Sequence, residues 1–230
     1  MRSINLIVIH CSATPDGVRL ARGKQPPNVV IDGWHKQRGF RRDSEAQRES
    51  QTSDLGSIGY HFVIDLDGRV YPGRSLIEPG AHAAGFNASS IGICLVGTER
   101  YTALQFVALA SLVRSLASDL SVHLTPPTML RRAGGAGLHG ICGHRDLSPD
   151  QNRNGVIEPA EWVKICPGFN VAAWLARGLE PDPAWLIEER DGPTPEAVAR
   201  VQQPSTFSAP SGATTEAATG SPTCTGCSHE

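Results

Sequence analysis

The chain has 230 residues, 40% of them hydrophobic and 19% charged, which is enough for one globular domain with a full core and some extra sequence. Its net charge of −2 is uneven: residues 1–177 carry 19 Lys+Arg against 15 Asp+Glu, and residues 178–230 carry 2 against 8. A mildly cationic first part suits an anionic polymer but is too weak for nucleic acid, and no apolar run approaches the ~18 residues of a membrane helix.

The start, MRSINLIVIHCS, is too short for a signal-peptide core and lacks a small-residue cleavage site. It reads as a strand over residues 4–10, and the absent signal predicts residence in the cytoplasm. Residues 29–38 predict a helix with Val30 and Trp34 on one side. Residues 39–57 are polar and read as a mobile loop or solvated helix. Residues 60–66 and 69–72 flank Asp67-Gly68, a pair favouring a tight hairpin.

The apolar run 91–96 predicts a central strand. Thr102 and Gln105 have capping-box spacing, and Leu104, Val107, Leu112, Val113 and Leu116 continue a core helix to about residue 119. Residues 138–142 predict a strand ending near His144, and Asn170 is placed to cap a last helix over 171–177. The expected fold is α/β, a single domain over 1–177 with a central mixed β-sheet flanked by helices. Residues 178–230 turn rich in Pro, Ser, Thr and Ala, which predicts a linker and a disordered C-terminal tail. Six cysteines without an export signal are expected to be reduced thiols, and the terminal Cys224/Cys227/His229 group is weak evidence for a metal.

His10 ends the first strand, His144 ends another, and Cys166 follows in a turn-rich segment. Two imidazoles and a thiolate form a zinc tripod with an open fourth position, the arrangement of a catalytic site. Taken singly, each has a plainer reading as a core histidine or a buried structural thiol. Between His144 and Cys166, residues 150–161 match an EF-hand-like calcium loop. Side-chain oxygens stand at Asp150, Asn152, Asn154, Glu158 and Glu161, with Gly155 at the turn and the Val156 carbonyl as a backbone ligand. Calcium there is expected to hold the two halves of the zinc site in register.

The motifs IVIHCSAT, IGYHFVIDLDGRVYPGR, GAHAAGFNASSIGICLVG, GHRDLSP and KICPGF occur in this order over residues 1–177. The series resembles the zinc-dependent N-acetylmuramoyl-L-alanine amidases of type 2, in the superfamily of phage lysozymes and peptidoglycan-recognition proteins, and is most similar to phage and prophage endolysins. The resemblance implies zinc ligands His10, His144 and Cys166, and catalytic roles for Tyr60 and Lys164 in stabilising the oxyanion. It implies that His82 and Asn87 line the substrate groove, with a plain turn role as the alternative. His61 is expected to face away from the site, His35 to lie on the surface, and Arg145 and Asp146 to support their neighbouring ligand.

Cytosolic recycling amidases of this likeness carry an aspartate in place of Cys166 and a glutamate in place of Tyr60, and receptor-only relatives lose the cysteine. The resemblance therefore implies hydrolysis of the bond between N-acetylmuramic acid and L-alanine in bacterial peptidoglycan. It further implies a monomer acting from the host cytoplasm and reaching the wall by holin-type release. Two other readings stay open: a peptidoglycan-binding or RNA-polymerase-regulating module, and a muropeptide-recycling amidase.

Overall fold

The computed structural model describes residues 2–20, 23, 25–42, 44–132, 135–188 and 194–202, with side chains of 129–136 excluded. Strand β1 (Leu6–Cys11) and strand β4 (Ser90–Leu95) are buried at every position, as expected for parallel strands covered on both faces. They form the middle of a six-stranded sheet of order β3-β2-β4-β1-β6-β5. The remaining strands are β2 (Phe62–Ile64), β3 (Val70–Pro72), β5 (Thr128–Arg132) and β6 (Gly135–Gly143). β2, β4, β1 and β6 run parallel, and β3 and β5 close the two edges antiparallel. The mixed sheet matches the expected fold class; β5 has no counterpart in the sequence reading.

Alternation along β1 separates two cores. Ile7, Ile9 and Cys11 face helix α3 (Ala103–Leu120) and helix α4 (Val171–Ala176), against Phe106, Leu109, Val113 and Trp174. Burying one such Leu or Val side chain contributes about 1.5–3 kcal/mol. On the other face, Ile31 of helix α1 (Pro27–Gln37) packs with Ile58, Val63, Cys94 and Val96. Leu6 and Val8 lie with Cys142 in a third cluster, and His10 continues their row to the carboxyl end of β1.

Thr102 starts α3 as the spacing predicts: its hydroxyl accepts from the Gln105 N–H at 3.0 Å, and the Gln105 side chain accepts from the Thr102 N–H at 3.0 Å. Asn170 likewise caps α4 by accepting from the Ala173 N–H at 2.9 Å. The helix expected over 29–38 and the hairpin about Asp67-Gly68 both form, as α1 and as β2 paired with β3.

Residues 39–57 are not a solvated loop. A short helix α2 (Glu45–Arg48) sits in the segment, and Arg42, Thr52, Leu55 and Ser57 are buried. The Arg42 guanidinium donates to both Glu78 carboxylate oxygens, at 2.6 and 3.2 Å, and to the carbonyls of Thr52 and Leu55. One buried cation thus organises a polar stretch whose composition alone reads as loop.

The chain also goes on packing past the expected boundary at residue 177. Leu179 is buried, the Tyr101 N–H donates to the Trp185 carbonyl, and the Ile187 N–H donates back to the Tyr101 carbonyl. Trp185 lies tilted against Phe106 and Phe169, and Val201 of helix α5 (Pro195–Gln202) packs on the core. Residues 203–230, including the CxxC tail, lie outside the described residues.

Candidate metal centre

His10 is carried to the site by β1, whose apolar row ends on it. His144 follows β6, the parallel neighbour of β1, and opens a short 3-10 turn (His144–Leu147). Asp146 holds that turn by accepting from the Gly143 N–H at 2.8 Å. Cys166 returns to the same place because its carbonyl accepts from the Arg145 N–H at 2.8 Å and its sulfur accepts from the Cys11 N–H at 3.2 Å. One ligand atom from each of His10, His144 and Cys166 lies within 4.8 Å of the others. Among the described residues no other group of three His, Cys, Asp or Glu side chains meets that condition.

The electrostatics suit a cation. Burial, the neighbouring His82 and His144, and Lys164 hold His10 well below its ordinary value. Burial first, and then Lys164, also lower His144. Both imidazoles therefore stay neutral, the form that ligates a metal. The side-chain hydrogen bond with the Cys11 thiol and burial push the Cys166 thiol upward and outweigh the Cys11 N–H, which lowers it, so a bound cation would supply the charge that favours its thiolate. All four cysteines among the described residues are free and buried, in keeping with reduced thiols.

Tyr60 stands beside the cluster, its ring 5.1 Å from that of His10. Burial raises its phenol well above the ordinary value, so the group is an O–H donor at neutral pH. Lys164 is exposed and close enough to depress both histidines. The cluster, with His10 and Cys166 buried and His144 half-buried, offers two imidazoles and a thiol to a metal ion, with the Tyr60 ring beside it and Lys164 exposed nearby.

The family profile described as N-acetylmuramoyl-L-alanine amidase matches residues 1–168. The chain belongs to this amidase family. An endolysin of Escherichia phage T7 is 30% identical to the amidase over 183 residues, spanning 75% of this chain and 85% of the endolysin. An uncharacterized protein of Haemophilus influenzae is 42% identical over 118 residues, 48% of this chain and 88% of its own length. Among solved structures, the N-acetylmuramoyl-L-alanine amidase LysC of Clostridium intestinale URNW aligns with a TM-score of 0.48 and 25% identity, over 76% of this chain and 87% of that one.

Two side chains of α1 hold the segment leading into Tyr60: Asp32, which the sequence reading passed over, and His35, which it placed on the surface. Asp32 on α1 accepts from the N–H groups of Ser57 and Ile58 at 2.6 and 2.7 Å, and His35 Nδ1 accepts from the Gly59 N–H at 2.8 Å. His35 is therefore not a surface residue; it is 5% exposed and holds the approach to Tyr60. Its one-turn spacing from Asp32 on α1 was the available signal. His61 precedes strand β2, accepts from the Gly92 N–H at 3.0 Å, and has its ring 5.7 Å from that of His82.

His82 is brought to the ligand cluster itself, with its Nδ1 3.0 Å from His10 Nε2. Asn87 does not point outward: its side-chain oxygen accepts from the N–H groups of His82 and Ala83 at 2.8 and 2.9 Å. In the 150–161 loop, Glu161 accepts from the N–H groups of Gln151, Asn152 and Glu158, which hold its carboxyl below the ordinary value. Asp150, Asn152 and Asn154 accept loop N–H groups in the same way.

Proposed function

We propose that this amidase is a zinc hydrolase that cleaves the amide between N-acetylmuramic acid and L-alanine in bacterial peptidoglycan, serving as a phage or prophage endolysin. The observation carrying the reading is the convergence of His10, His144 and Cys166 within 4.8 Å, beside Tyr60 and Lys164. The donor set fits zinc: borderline-soft thiolate and neutral imidazole, with three protein ligands and a fourth position open. Bound there, zinc supplies Lewis-acid polarisation of a carbonyl and a water of lowered pKa.

The chain's own groups do the rest. The Tyr60 phenol donates a hydrogen bond to the oxygen on which charge develops, and the Lys164 ammonium adds a second stabilising charge at the exposed side. Burial of His10 and Cys166 lowers the local dielectric on the inner side of the cluster and strengthens the interaction made there. The endolysin role is supported by the similarity to the phage T7 endolysin along most of both chains. Among the described residues no helix is long and apolar enough to cross a membrane; passage to the wall through a holin-type partner belongs to the endolysin reading. Calcium in the 150–161 loop is kept within the proposal on the spacing of its oxygen-bearing residues.

Purified sacculi test the reading. Turbidity falls on adding the protein, stops falling with a zinc chelator, and falls again when zinc is restored. New L-alanine amino termini identify the amidase, whereas new reducing ends overturn it. Cleavage of soluble anhydro-muropeptides alone assigns the protein to recycling, and binding without cleavage assigns it to recognition.

A further inference from the structure

His82 occupies a place that the zinc reading leaves unexplained. His10 turns its Nδ1 toward Cys166 Sγ, at 3.7 Å, and its Nε2 toward His82 Nδ1, at 3.0 Å. With Nδ1 directed into the ligand cluster, the ring proton of neutral His10 sits on Nε2 and donates to His82 Nδ1. His82 Nδ1 then accepts, so its own proton is on Nε2, which lies 3.4 Å from Ser90 Oγ. The Ser90 hydroxyl in turn donates to the Phe86 carbonyl at 2.8 Å. Every group in this chain has one consistent role, and all the donors point away from the metal centre.

The fold also reserves a slot for the His82 ring. A Cβ on Gly92 would lie 2.5 Å from its Cδ2 and 2.6 Å from its Cγ, and a Cβ on Gly80 would lie 2.6 Å from its Nε2. Those separations are closer than any side chain tolerates, so glycine at both places is the condition for the ring's position. Behind the ring, Asn87 fixes the His82 backbone through the two hydrogen bonds described above.

We propose that His82 is a positioning residue for the metal centre: it accepts the His10 Nε2 proton, fixes that ring's tautomer and rotation, and thereby presents Nδ1 to zinc. This deepens the zinc reading and rests on it. Ligating histidines commonly donate to a carboxylate or a backbone carbonyl; here a neutral imidazole takes that place. His82 acts through His10 rather than on substrate, and Gly80, Gly92 and Asn87 serve to hold it.

The test compares zinc affinity, by competition with a chromogenic chelator, and the visible spectrum of the cobalt-substituted protein. His82→Leu removes the acceptor and is expected to weaken zinc about 10–100-fold and to shift the cobalt bands. His82→Asn returns an oxygen acceptor near the position of Nδ1 and is expected to restore affinity to within about threefold of the parent. His82→Gln, whose amide reaches the Nε2 position instead, is expected to resemble His82→Leu. Gly92→Ala should weaken zinc with His82 still present. If His82→Leu fails to fold by far-ultraviolet circular dichroism, the contrast between His82→Asn and His82→Gln decides.

Parental zinc affinity and an unshifted cobalt spectrum in His82→Leu, or in both amide variants, overturn the proposal. A raised KM with zinc binding intact overturns it too, placing His82 on the substrate. Failure of the parent protein itself to bind zinc is a different result, one that removes the metal reading as a whole.

Discussion

The guanidinium of Arg145 lies over the indole of Trp162, 4.2 Å from the ring centroid. Arg145 follows the candidate ligand His144, and Trp162 precedes Lys164 and Cys166, so the contact fastens the start of the intervening loop to its end. The Val163 N–H donates to Ser148 Oγ at 3.1 Å, and the Arg145 N–H donates to the Cys166 carbonyl, reinforcing the closure. A buried cation–π contact of this kind contributes about 0.5–2 kcal/mol. Trp162→Ala is therefore expected to lower Tm and to weaken zinc binding together, while Trp162→Phe keeps much of both. Calorimetry and chelator competition on the two variants check this; unchanged zinc affinity in Trp162→Ala would show that the loop ends register without it.

Tyr60 and Lys164 are expected to act in the transition state and not in holding the metal. Tyr60→Phe and Lys164→Ala should each lower kcat by roughly 10²–10³ on sacculi or a soluble muramyl peptide. Zinc content by atomic absorption should remain that of the parent. Parental kcat in Tyr60→Phe would remove the phenol from the mechanism.

Stability should fall in acid because buried histidines are held uncharged. Burial, with Arg2 nearby, lowers His61 to about 3, and burial, with Arg38 and Arg74 nearby, lowers His35 to about 4. In the unfolded chain both titrate near ~6.5, so below that pH the unfolded state binds more protons than the folded one. The stabilisation is fully present above ~6.5 and is lost progressively as pH falls through the folded values. Tm of the chelator-treated protein should drop steadily between pH ~6.5 and ~4, with a shallower slope in His35→Gln. A Tm independent of pH across that interval would contradict the account.

Arg42 and Glu78 form an ion pair at 2.6 Å with side chains 0% and 2% exposed. Burial pushes the Glu78 carboxyl up, and hydrogen bonds from Arg42 and the Ser75 N–H outweigh it, leaving it below the ordinary value. Arg42→Met strands the carboxylate and is expected to cost about 3–5 kcal/mol, read by urea unfolding. Adding Glu78→Leu should recover a large part of the loss. An effect of Arg42→Met within the scatter of surface substitutions would show that residues 39–57 are held by other contacts.

Calcium is expected to stabilise the fold through the 150–161 loop by about 2.7 kcal/mol at hundredfold excess over its dissociation constant, and so to raise Tm. Glu161→Ala should abolish that response and lower the starting Tm, because Glu161 also ties three loop N–H groups. No Tm response in the parent across a calcium titration would remove the ion and leave the loop held by its own hydrogen bonds, those of Glu161 among them.

The amino-acid order is enough to reveal what depends on neighbours in the chain. The apolar run ending on His10, the Asp67-Gly68 turn, the Thr102 capping box and the Asn170 cap are all local, and each is where it was expected. The three candidate ligands were legible as residue types, two histidines at strand ends and a cysteine in a turn-rich segment, and through their motifs. What composition misread was set by partners far along the chain. Residues 39–57 are ordered by Glu78, His35 is buried by the segment entering Tyr60, and β5, following Pro126-Pro127 with no clear alternation, forms by pairing with β6. His82 meets His10 across 72 residues. That contact exists because strand register sets Gly92 beside Val8, leaving the space its ring fills. Register and the shape of a slot arise from packing between elements, and no local spacing encodes them.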